Sequence, residues 1–142
     1  MLHLVAALTM LAGATMQPPP TDRYAEGQVW EYRTRPGDEG SLLRIQRIEP
    51  YPNAPAGDSR RVYHISIIGV RLGRQHALTD LPHFPVSQVT LDASVTHRSN
   101  STAPFPAADE GIAQWRAAQG GVFTIPVAEI VSIADQAVSR LR

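Results

Sequence analysis

Twelve residues, "RVYHISIIGVRL" (61–72), do most to limit what this chain can become. Read at a strand's period of two, Val62, His64, Ser66, Ile68 and Val70 share one face, and Tyr63, Ile65 and Ile67 share the other. A run that is apolar on both faces and rich in β-branched residues is a strand covered on both sides. The rest of the fold has to supply that cover.

Upstream, "GQVWEYRTR" (27–35) alternates, with Trp30, Tyr32 and Thr34 on one face and Glu31, Arg33 and Arg35 on the other. The Pro36-Gly37 turn leads into "SLLRIQRIE" (41–49), whose adjacent Leu42 and Leu43 break the alternation and allow a bulge. These segments and the 61–72 run form an antiparallel meander. Residues 73–86 read as loop, and Ser87 as the N-cap of a short helix ending near Val95, with Leu91 and Val95 as its apolar pair. Residues 96–108 read as loop again. A second helix starts at Asp109, buries Ile112 and Trp115, and stops at Gly120-Gly121. "VFTI" (122–125) reads as an edge strand. A third helix comes next, with Pro126 at its first position and a stripe of Val127, Ile130, Val131, Ala134, Val138 and Leu141. Strands first and helices later give an α+β fold. The expected sheet is antiparallel with three to four strands, and about three helices pack mainly on one face.

The chain has 142 residues, which suits one domain, here 24–142. Net charge is zero, which argues against a nucleic-acid binder working by bulk electrostatics, so nucleic acid is not an expected partner. All 13 basic residues are arginine. Without lysine there is no Schiff-base or P-loop chemistry, and without cysteine no thiol nucleophile, disulfide or zinc ribbon. No cofactor is implied. Leu4–Ala14 is a short apolar run ending in Ala12-Gly13-Ala14, a small-x-small pattern that marks residues 1–14 as a signal peptide. It is short of the about 20 residues that span a bilayer. "QPPP" makes 15–23 an extended linker. The expected location is periplasmic or secreted. The alternative is a cytoplasmic protein whose N-terminus is misassigned.

Histidines are the first place to look for chemistry. His64 lies inside the central strand and His83 between Pro82 and Pro85, and together they are catalytic candidates for acid/base work, with Asp80 or Asp92 as a third group. The opposing reading is a hydrogen-bonded core histidine and a brace in a stiff loop. No two of His64, His76, His83 and His97 have the i, i+4 spacing of a helical metal site, so no metal ligand is assigned. Ser66 shares the His64 face but reads as a satisfied core hydroxyl. Trp30 and Trp115 are candidates for a ligand-binding wall, with Arg33 or Arg35 reaching an anion; the plainer reading makes both tryptophans core and both arginines solvated.

"GQVWEYRTRPGDEGS", "YHISIIGV", "LPHFPVS", "LDASV" and "GGVFTIPVAEIV" together resemble a family of small bacterial proteins with no assigned activity. The resemblance covers roughly residues 24–131 and implies bacterial origin and one intact domain. Several relatives start close to "GQVW", which implies that residues 1–23 are an added secretion segment. It brings no catalytic residue. The G-x-W opening of lipocalins is only superficially similar, since the spacing here is G-x-x-W and an eight-stranded barrel has no room in this pattern.

Two functional readings are compatible with these features. One is a non-enzymatic binding or interaction domain with a protein or small-molecule partner, using a sheet edge or the segment around His83. The other is a small histidine-dependent hydrolase-like or metal-dependent enzyme centred on His64 and His83. The export expectation is checked by N-terminal sequencing of the mature protein. The expected first residue is Thr15, and an intact Met1 in the cytoplasm would refute it.

Overall fold

A computed structural model describes residues 23–141. The expected signal peptide and most of the linker lie outside the described residues. The elements are β1 (Val29–Tyr32), β2 (Leu42–Pro50), β3 (Arg61–Leu72), β4 (Ala77–Val86), α1 (Gln88–Ser94), β5 (Val95–Ser99), α2 (Asp109–Ala117) and α3 (Val127–Ser139). The strands form one antiparallel sheet in the order β4-β3-β2-β1-β5, so the fold is α+β with the 61–72 run inside it.

The sheet has five strands, where three to four were expected. The segment read as loop over 73–86 is β4. Its prolines hid it, yet an edge strand tolerates residues that cannot donate to a ladder. Residues 95–99 form β5, which buries only Val95 and is held by backbone pairing to β1. "VFTI" shrinks to a single parallel bridge between Phe123 and Val86.

One face of the sheet carries the main core. Tyr63, Ile65 and Ile67 pack there with Leu43, Ile45, Trp30 and Tyr32, under α1 and α3 through Leu91, Val127, Ile130 and Val131. Ser87 caps α1 as expected, its hydroxyl accepting from Thr90 N at 3.3 Å. Pro126 sits one place earlier than expected, as the residue before α3, and Ser94 Oγ accepts the Val127 N–H at 2.9 Å. The α3 stripe is buried only in its first half; Val138 and Leu141 are 40% and 76% exposed. α2 covers the opposite face, with Ile112 and Trp115 buried against it.

Three of the sheet's four register shifts, those at the edges of β3, decide which side chains share a face. Ile45 pairs with Ile65, but the next pair is Arg47 with His64, so Gln46 is an extra residue in β2. Phe84 pairs with Ile65 and Leu81 with Ile67, so Pro82 and His83 together oppose Ser66. Ile67 pairs with Leu81 and Val70 with Thr79, so β3 gains a residue at Gly69, and Val70 joins the Ile67 face instead of the His64 face. Each inserted residue inverts the parity of the strand beyond it.

Gly69 adopts φ +79° at its bulge, and its N–H is taken by Asp80 Oδ1 at 3.1 Å. A side chain there costs about 1–2 kcal/mol through its left-handed backbone. Gly69→Ala is therefore expected to lower the urea unfolding free energy by about that amount. An unchanged midpoint would contradict the bulge.

Candidate functional site

The bulges place a row of titratable groups beneath α2. Without Gln46 as an extra residue, Glu49 would keep Ile45's parity and point to the main core. With it, Glu49 lies on the His64 face. The bulge at Pro82-His83 likewise turns His83 toward β3. His64 is fully buried. Its Nε2 lies 2.7 Å from Glu49 Oε1, and its Nδ1 lies 2.8 Å from His83 Nε2. Arg116 of α2 completes the row, with Nη2 donating to Glu49 Oε2 at 2.5 Å. The histidine rings are inclined by 27° with centroids 5.0 Å apart. With facing nitrogens this close, that spacing is edge-to-edge contact between two five-membered rings, not face stacking.

The proton positions are set by Glu49. Burial pushes its carboxyl up, but hydrogen bonds from Arg116 and His64 outweigh this and hold it below the usual range. An ionised carboxylate only accepts, so His64 carries its proton on Nε2. Burial holds His64 below an ordinary histidine, against the opposing pull of Glu49, and it is neutral. Its Nδ1 is therefore an acceptor, and His83 donates from Nε2. Burial, aided by the neighbouring His64, pushes His83 down to about 4. The one ring nitrogen left without a hydrogen bond in the row is His83 Nδ1.

α2 closes over this row by close approach. A Cβ on Gly111 would stand 2.6 Å from His83 Cβ and 2.8 Å from its Nδ1, so only glycine fits. Trp115 sets its indole edge-on to His64, with centroids 4.9 Å apart and planes at 77°, and donates from Nε1 to Gly121 O at 2.9 Å. The left-handed residue ending α2 is Gln119, at φ 50°, and not a glycine. Gly120 is needed for another reason: a Cβ there would come within 2.3 Å of the Trp115 ring.

The other candidates are dispersed. Ser66 donates to Pro82 O at 2.6 Å and accepts from Gln46 Nε2 at 3.0 Å, so its proton does not point to His64. Asp80 binds Gly69 N, while Asp92 accepts from Tyr24 OH at 2.6 Å. Trp30 lies in the main core with Tyr24 and Tyr63, on the face opposite Trp115, so the two tryptophans form no common wall. Arg33 is exposed and donates to Ala93 O at 3.0 Å. Arg35 is not a solvated strand residue: it binds Asp38 and Asp135. Among the described residues no group of three or more His, Cys, Asp or Glu is placed to hold a metal ion. Glu49 and His83 meet opposite edges of the His64 ring, so their donors do not converge on one point.

Sequence reading paired His64 with His83 but missed Glu49, Arg116 and Gly111. The Glu49 signal was available in β2. Its apolar core positions run Leu43, Ile45, then Ile48, a spacing of two and then three that betrays an inserted residue. No protein-family model, curated protein or solved structure matches the chain.

The row predicts acid sensitivity. His83 is neutral in the fold down to about pH 4, whereas an unfolded histidine takes up a proton near pH 6.5. The unfolded state thus binds more protons between these values, and stability falls as pH falls through that window. His64 acts in the same direction, and Glu49 adds to the loss as pH drops through its lowered value. Discounted for partial exposure, His83 accounts for about 2 kcal/mol. Urea denaturation at pH 7 and pH 4.5 measures this; the difference is expected to shrink in His83→Gln.

Proposed function

We propose that this chain is an exported bacterial domain that binds a partner or small ligand without catalysing a reaction on it. The observation that carries the reading is the closure of the Arg116–Glu49–His64–His83 row. Both ring nitrogens of His64 are engaged, the Ser66 proton is committed to a backbone carbonyl, and Gly111 lies against His83. Four surface cavities of about 260, 380, 320 and 290 Å³ open elsewhere, and Glu49, His64, His83 and Trp115 line none of them. A general base must come within hydrogen-bonding reach of a substrate proton, and none of these four cavities leads to His83. The row instead locks α2 to the sheet. The apolar run at 4–14 and the resemblance to small bacterial proteins support the export part of the reading.

The enzymatic alternative has one observation in its favour. The carboxylate fixes both tautomers and leaves a single directed lone pair on His83 Nδ1, as a carboxylate-oriented histidine base requires.

A panel of chromogenic esters and phosphate esters separates the two. The expected result is no turnover above buffer, with His83→Gln altering the unfolding midpoint only. Turnover by the wild-type chain that disappears in a folded His83→Gln protein would overturn the binding reading.

A further inference from the structure

β3 outruns β2 at one end, since β2 begins at Leu42 opposite Ile68. Beyond that point the edge of β3 facing β2 has no strand to pair with, and the turn after β1 takes its place through side chains. Asp38, 2% exposed, accepts the Arg71 N–H at Oδ1 (2.9 Å), and Ser41 Oγ donates to Ile68 O at 2.7 Å. Arg35 ties this turn to α3. Its Nε donates to Asp38 Oδ2 at 2.7 Å, Nη1 to Asp135 Oδ2 at 3.0 Å and Nη2 to Arg71 O at 2.9 Å. Asp135 Oδ1 accepts the Gly73 N–H at 2.8 Å. Between the turn, α3 and the β3–β4 hairpin lies a cleft of about 380 Å³.

Donors and acceptors in this cleft are unequally used. Each of the four oxygens of Asp38 and Asp135 already accepts a hydrogen bond, and Ser132 Oγ donates to Ala128 O at 3.1 Å. Asp135 is held below the usual carboxylate range, first by the Gly73 N–H, and stays ionised. Arg35 pairs with both carboxylates, and the Arg71 guanidinium pairs with neither. Donors remain over. The Arg71 guanidinium makes one long contact, Nη1 to His76 O at 3.3 Å, and the His76 ring beside it has no hydrogen-bond partner among the described residues. His76 also holds a left-handed backbone, φ 50°, at the hairpin tip, and lines the cleft.

We propose that this cleft binds a small carboxylate, with the Arg71 guanidinium as a bidentate clamp and the His76 ring as a second donor. The proposal rests on the binding-domain reading and gives it a ligand class and a place. A carboxylate supplies two acceptors in the plane that a guanidinium fork matches. Arg35 takes no part in binding; its three bonds hold the walls.

Arg71 can be tested cleanly because its structural bond to Asp38 comes from its backbone. Arg71→Gln keeps that N–H and removes the charge. His76→Asn removes the ring while tolerating the left-handed backbone. Backbone amide shifts of the full chain are followed in an acetate titration to roughly 50 mM, the range suited to one charge-assisted pair, against chloride at matched ionic strength. The expected result is a saturable response at Gly73, Arg71 and His76, with affinity about tenfold or more weaker in Arg71→Gln and reduced in His76→Asn. No saturable response, or one that neither substitution diminishes, overturns the proposal. Neither result bears on ester turnover, and turnover dependent on His83 would leave the acetate titration unmoved, so failure here and failure of the binding-domain reading are told apart.

Discussion

β3 has a strand on each edge and helices over both faces, so a polar side chain in its middle has no water to bond. His64 stands at that position. An unpaired polar group buried there costs about 1–3 kcal/mol, which is the pressure that assembles its surroundings. Glu49 answers one ring nitrogen and His83 the other. Glu49, itself partly removed from water, needs a cation, and Arg116 brings α2 with it. The helix on the second face is therefore positioned by electrostatics as much as by Ile112 and Trp115. This differs from the first face, where α1 and α3 rest on a continuous apolar layer.

Much of this architecture was legible in the chain. The period-two run at 61–72 marked the central strand from end to end, Ser87 marked the start of α1, and Asp109 marked the start of α2. What escaped was structure stabilised without an apolar pattern. β5 shows the sequence "VTHRS", almost wholly polar, and exists because β1 had an unpaired edge. β4 was concealed by Pro82 and Pro85 and by its own bulge, which spaces the core-facing Leu81, Phe84 and Val86 by three and then two. The same broken rhythm in β2 concealed Glu49. A strict period-two reading discards the positions where a strand departs from alternation, and here those positions build the site.

Two polar assemblies of opposite character thus share one small domain. Beneath α2, every ring nitrogen but one is matched, and the result is a closed brace. At the far end of β3, side chains of a turn replace a missing strand, every carboxylate oxygen is matched, and guanidinium and imidazole donors are left facing a cleft. The first arrangement uses its hydrogen-bonding groups within the fold, and the second is the one we propose to take a carboxylate. Both arise from the same cause, the length and centrality of β3, whose backbone and side chains must be satisfied where its neighbours stop or slip register.

The contact between Gly111 and His83 carries a consequence for how such a domain can change over time. The missing methyl group of one residue is the space occupied by the Cβ and ring edge of the other, although 28 positions separate them in the chain. Any larger residue at 111 meets the Cβ at 83, which every residue but glycine carries, and losing the imidazole at 83 strands His64 Nδ1 without a donor. The two positions, together with 64, form a single unit of variation. Substitutions that look conservative one at a time are barred, while joint replacement of 64 and 83 by apolar residues of matched volume, with glycine kept at 111, leaves α2 a surface to dock on.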